Sequence, residues 1–171
     1  MPETVVEYTQ RLLSYSEGSD PLTILGSTPD KLASLVRDRT SAQLMSAPAP
    51  GKWSITQILA HLADAELAIA WRLRQILSTN GVAIQAYDQD LWASTFNYAD
   101  RDPQISLATF RALRAADVAL LKSVPKTLWD NYGMHQERGK ETIHHTAKMT
   151  AGHDLNHLRQ VEKIIREQNG R

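Results

Sequence analysis

The run from Ser54 to Asn80 constrains the fold more than any other stretch of this chain. Ser54 and Gln57 stand in the S-x-x-Q spacing of a capping box, in which each side chain accepts a backbone N–H of the other residue at a helix start. Trp53 and Ile58 are placed to close a hydrophobic staple across that start. Ile55, Ile58, Leu62, Ala65, Ile69, Leu73 and Ile76 then trace one helical stripe, which ends near Asn80-Gly81. A helix with so long an apolar stripe must bury it against other elements.

Similar signals recur along the chain. Residues 3–17 read as a first helix on Val5, Val6, Thr9, Leu12 and Leu13, with Gly18 as its stop. Asp20-Pro21 reads as a cap followed by Pro at the first helical position. Gly26 is expected to close that piece and Thr28-Pro29-Asp30 to restart it, so the first helical layer is expected to break near residues 18–28. Pro48-Ala49-Pro50-Gly51 is a loop. Residues 82–101 keep no sustained period and leave room for a short helix around 88–97. Asp102-Pro103 starts another helix, carried by Leu107, Phe110, Leu113, Leu120, Leu121 and Val124 and ended by Pro125. A second connection covers about residues 125–141. Thr142 can cap a last helix running to about Gln168, with Ile143, Thr150, His157, Val161 and Ile164 on its inner face. No strand-like alternation is evident. The expectation is one domain over residues 1–171, all-α, an up-down four-helix bundle with extra short helices in its connections.

Composition narrows the function. The 19 basic and 19 acidic residues cancel, and no basic stripe appears, so neither a nucleic-acid partner nor an anionic surface is expected. No apolar run approaches a membrane span, and the N-terminus carries no signal core, so a cytoplasmic, soluble protein is expected. The chain has no cysteine. Thiolate ligands are therefore impossible, and any thiol chemistry needs sulfur from a co-substrate.

Histidines carry the functional signal. His153 and His157 stand four apart in the last helical pattern, only about 40° apart around a helix. Both imidazoles can therefore reach one point, a spacing that suits two ligands of one metal ion. His61, on the edge of the Ser54–Asn80 stripe, is the best third ligand. Three imidazoles suit Zn²⁺ or Ni²⁺ and leave coordination positions open for water or substrate. Asp64, Asp154 and Gln160 are candidates for hydrogen-bonding the ligands from behind, with an ion pair to a neighbouring helix as the rival role for Asp154. Tyr87, Trp92, Arg72 and Met149 are candidates for the substrate pocket. His144 is expected on the surface, His145 in the first helical turn, and His135 in a loop without a role.

Together these pieces resemble the DinB/YfiT superfamily of four-helix bundle proteins. The matching motifs are Trp53-Ser54 leading to His61-Leu62-Ala63-Asp64, then Tyr87-Asp88-Gln89-Asp90 with Trp92, then Gly139-Lys140-Glu141-Thr142 leading to His153-Asp154-x-x-His157-x-x-Gln160. The resemblance covers most of the chain, from about residue 20 to the end. The resemblance implies a divalent metal held by His61, His153 and His157. It also implies a thiol-dependent S-transferase or related small-molecule enzyme, with a low-molecular-weight thiol as co-substrate. A metal-dependent hydrolase and a non-catalytic metal- or ligand-binding protein are the rival readings. It further implies a homodimer, for which Trp71, lying outside its helix's stripe, is the expected contact.

Overall fold

Every long helix opens on a side chain that caps it. Ser54 Oγ accepts from Gln57 N–H (3.3 Å) and Gln57 Oε1 accepts from Ser54 N–H (2.9 Å), which closes the capping box. Asp20 and Asp102 cap helices whose first residue is proline, and Thr142 caps the last. The computed structural model describes residues 3–170. Its helices are α1 (Val5–Tyr15), α2 (Pro21–Val36), α3 (Ser41–Met45), α4 (Ile55–Ser78), α5 (Gln89–Thr95), α6 (Pro103–Ser123) and α7 (Ile143–Asn169).

Helices α2, α4, α6 and α7 form a four-helix bundle. Both α2 and α4 pack against α6 and α7, and α1 lies along α7. One end of the core holds Leu32, Ile55, Ile58, Leu59, Phe110 and Val161; the other holds Leu73, Ile76, Leu121, Trp129 and Ile143. No described helix is long and apolar enough to cross a membrane.

Two expectations need correction. The break at Gly26 and Thr28-Pro29-Asp30 does not occur, and α2 runs unbroken through Pro29. Proline lacks the N–H that would bond the carbonyl of Leu25. That carbonyl accepts instead from Arg114 Nη1 on α6 (3.2 Å), so the helix continues with its lost bond replaced from outside. The second correction concerns strands. A small sheet of β1 (Val82–Ile84), β2 (Tyr132–His135) and β3 (Gly139–Thr142) fills the two connections. β1 is parallel to β2, and β2 is antiparallel to β3. Strands of three or four residues are too short to show a period of two. The sheet is pressed onto α4: a Cβ on Gly133 would lie 2.5 Å from Ile84 and 3.1 Å from Ile76.

Arg114 ties the bundle together. Its Nε and Nη2 donate to the two Glu66 oxygens on α4 (both 2.7 Å), Nη2 also donates to Asp154 on α7 (3.1 Å), and Nη1 donates to Asp154 and to Leu25 of α2. All five guanidinium N–H groups are therefore used, and the three charged side chains are at most 3% exposed. Two carboxylates against one guanidinium leave an excess negative charge. Burial pushes the Glu66 carboxyl up to about 7 against the pull of Arg114.

The contact between α1 and α7 depends on Gly152. A Cβ there would sit 1.9 Å from the carbonyl oxygen of Leu12. The oxygen is a backbone atom and a Cβ has its place fixed by the backbone of α7, so neither can turn aside and only glycine allows this approach.

Two outcomes follow from this packing. Gly152→Ala should cost about 1–3 kcal/mol, the range for overpacking, read as a lower urea midpoint. An unchanged midpoint would show that α1 does not need the close approach. Arg114→Leu strands two buried carboxylates and should cost about 3–5 kcal/mol, read the same way; a loss under about 1 kcal/mol would contradict the role given to the cluster.

Candidate metal centre

Two helices bring three imidazoles to one point. His61 projects from α4, and His153 and His157 project from successive turns of α7. His153 Nε2 lies 3.0 Å from His61 Nε2 and 3.1 Å from His157 Nε2. The three form the one cluster among the described residues whose ligand atoms all lie within 4.8 Å of one another. His61 and His157 are buried, and His153 is half-buried. Trp53 packs its ring against His61, with centroids 5.0 Å apart.

Gln160 sits behind this group. Its Oε1 lies 2.8 Å from His157 Nδ1, so the ring donates its Nδ1–H and presents a bare Nε2 to the other two histidines. Burial holds the pKa of all three rings down. His157 falls from 6.5 to about 4, and His61 and His153 fall well below 6.5, with the proximity of His157 adding to the burial. At neutral pH the site is three uncharged imidazoles whose lone pairs converge. Tetrahedral coordination at 2.0–2.1 Å would place neighbouring nitrogens about 3.3 Å apart, close to the spacing seen here. The donor set and its geometry fit a divalent ion of the zinc type.

The site opens on a cavity of about 860 Å³. Arg72, Tyr87 and Met149 line it, together with His61 and His153. Trp92 does not reach it. It stacks behind Tyr87, with ring centroids 4.2 Å apart, and supports that wall from outside. Asp154 does not back the histidines either. One position round the helix turns a side chain by about 100°, which aims Asp154 at Arg114 and away from His153. Asp64 is likewise engaged elsewhere, by a two-pronged pair with Arg101 (both 2.9 Å).

The remaining histidines divide. His144 is exposed beside Trp129, and His145 lies 3.8 Å from Glu141. His135, given no role from sequence, ends β2, is 3% exposed and lines the cavity. Only its place just before the Gly139 turn hinted at an ordered position. Trp53 was read as a staple alone, and its contact with His61 had no periodic signature.

Comparison with known proteins places this geometry. The model of the DinB superfamily matches residues 24–161. A protein of Oceanobacillus iheyensis is 26% identical over 141 residues, spanning 82% of this chain and 81% of its own length. YfiT of Bacillus subtilis is 26% identical over 163 residues, spanning 94% of this chain and 91% of its own length. The names of both carry a provisional assignment as metal-dependent hydrolases. The solved structure of YfiT, described as an unusual four-helix bundle topology, superposes with a TM-score of 0.82 at 24% identity and covers 87% of this chain and 86% of that one.

The depressed histidine pKa values set a pH dependence for the metal-free protein. Below about 6.5 the unfolded chain takes up protons that the folded site refuses, so the site's contribution to stability is full above that pH and is lost as pH falls toward 4. The urea midpoint should therefore drop more between about pH 7 and pH 4.5 than in a variant with all three histidines replaced by glutamine. Equal drops would contradict burial as neutral rings.

Proposed function

The chain belongs to the DinB superfamily, and from that premise we propose that it is a metal-dependent hydrolase of a small molecule. The observation that carries this is the convergence of three imidazoles, His61, His153 and His157, beside a large cavity that His61 and His153 line. A Zn²⁺ or Ni²⁺ ion there would supply a Lewis acid with open positions and a water ionised near neutral pH.

The chain's own residues prepare that chemistry. Gln160 fixes the tautomer of His157, and the Trp53 ring holds His61 against rotation. Tyr87 and Met149 shape the chamber before the histidines, and Tyr8 of α1 covers it. Asp64 and Asp154 are committed to arginines, so neither is free to act as a base at the centre. Thiol transfer would use the same three histidines with a low-molecular-weight thiol brought in. The names of the relatives favour hydrolysis. A homodimer through the face around Trp71 and Leu67, which are 64% and 56% exposed, belongs to the same proposal.

Elemental analysis of the purified protein is the first test, with about one divalent ion expected per chain. His153→Ala and His157→Ala should each empty the site while the helical circular-dichroism spectrum persists, because the bundle core is aliphatic. Equal metal content in wild type and variants would overturn the assignment. With metal content established, ester and amide panels against thiol-plus-electrophile panels separate hydrolysis from transfer.

A further inference from the structure

The cavity also holds hydrogen-bond donors that the described residues leave unmet. His135 Nδ1 accepts from the backbone N–H groups of Glu137 (3.2 Å) and Arg138 (3.4 Å). Burial, and then the charge of Arg138, hold the ring neutral. The ring proton must therefore sit on Nε2. That nitrogen is buried and has no partner among the described residues, although the ring lines the cavity. A buried N–H without an acceptor is costly, so the position calls for an oxygen atom from a ligand.

Arg72 lines the same cavity. It donates one bond, from Nη2 to the carbonyl of Gln85 (2.9 Å), and its guanidinium lies over the Tyr87 ring, 5.5 Å from the centroid. It pairs with no carboxylate among the described residues. The other arginine lining the cavity, Arg138, is held by both oxygens of Glu141 (2.6 and 3.1 Å). Of the lining carboxylates, Glu3 is held by Arg11, Asp88 by the first turn of α5 and Glu141 by Arg138; Glu137 is exposed. A guanidinium without a carboxylate partner, lining the same cavity as an unmet N–H, suits an acceptor that carries negative charge.

We propose that Arg72 and the Nε2–H of His135 form a recognition subsite for an anionic oxygen group, a carboxylate or phosphate, carried by the substrate. The proposal rests on reading the cavity as the chamber of the three-histidine centre. Residues 61 and 72 are 11 positions apart on α4, about 16 Å along its axis. The substrate is then held by its anionic end while its other end meets the histidines.

The test uses metal-free and metal-loaded protein with inorganic phosphate and acetate as separate probes. Addition of one or both should shift the His135 Nε2–H resonance in side-chain NMR saturably. Arg72→Gln, at a half-buried helix position, should raise the dissociation constant about tenfold or more, as expected for losing a charge-assisted bond. His135→Phe should do the same, and His135→Gln, which keeps an N–H donor, should recover part of the loss. Phosphate and acetate titrations tell the two anion types apart. Equal dissociation constants in wild type and Arg72→Gln, or no saturable shift with either probe, would overturn the subsite. Anion binding that disappears in His153→Ala would overturn it too, by placing the anion at the histidines. Loss of metal with anion binding intact would count against the metal centre alone.

Discussion

One guanidinium holds this bundle in register. Arg114 on α6 takes a carbonyl from α2, a carboxylate from α4 and a carboxylate from α7, one partner from each of the other three helices. Greasy faces slide at small cost, because dispersion and apolar burial are non-directional. Five hydrogen bonds from one rigid plane are directional, and a helix that slips a turn breaks several at once. Glu66 lies little more than one turn beyond His61, and Asp154 is next to His153. The contacts that lock α4 and α7 to Arg114 therefore also fix where the three imidazoles meet. The cluster's stability value is a separate matter, since burying charge costs solvation that pairing only repays. Its contribution is position.

The second constraint is the approach of α1 to α7. Gly152 lets the Leu12 carbonyl come within a distance that a methyl group would forbid. Arg11 then reaches Asn156 on α7 (3.0 Å), and Tyr8 and Leu12 roof the cavity beside His153. A glycine in mid-helix weakens the helix itself by roughly 1 kcal/mol relative to alanine. Here it provides the fit of a lid helix over the site.

How far the sequence spoke depended on the range of the interaction. Capping is local, so Ser54, Asp20, Asp102 and Thr142 announced their helices correctly. A four-residue spacing is local as well, so His153 and His157 could be paired on sight, and the stripe of α4 brought in His61. Pro29 misled because what rescues it lies 85 positions away in the chain, at Arg114. The strands misled because three or four residues carry no period. His135 was invisible for the same reason: only the parallel pairing of Ile84 with His135 and the hairpin pairing with Gly139 seat it in the cavity.

Asp154 shows why a motif must be read against its surroundings. In His153-Asp154-x-x-His157 the aspartate looks like part of the metal apparatus, since carboxylates often hold ligating histidines by their second nitrogen. Helical geometry argues otherwise. Residues 153 and 157 share one face, and residue 154 points about 100° away from His153, into the bundle. At 0% exposure a carboxylate there needs a cation, and α6 supplies Arg114. Gln160, three residues past His157, returns to the histidine face and takes the role that the aspartate cannot. The motif thus joins two separable tasks on consecutive residues of one helix. One sets the helix in its place, and the other presents nitrogen to the cavity.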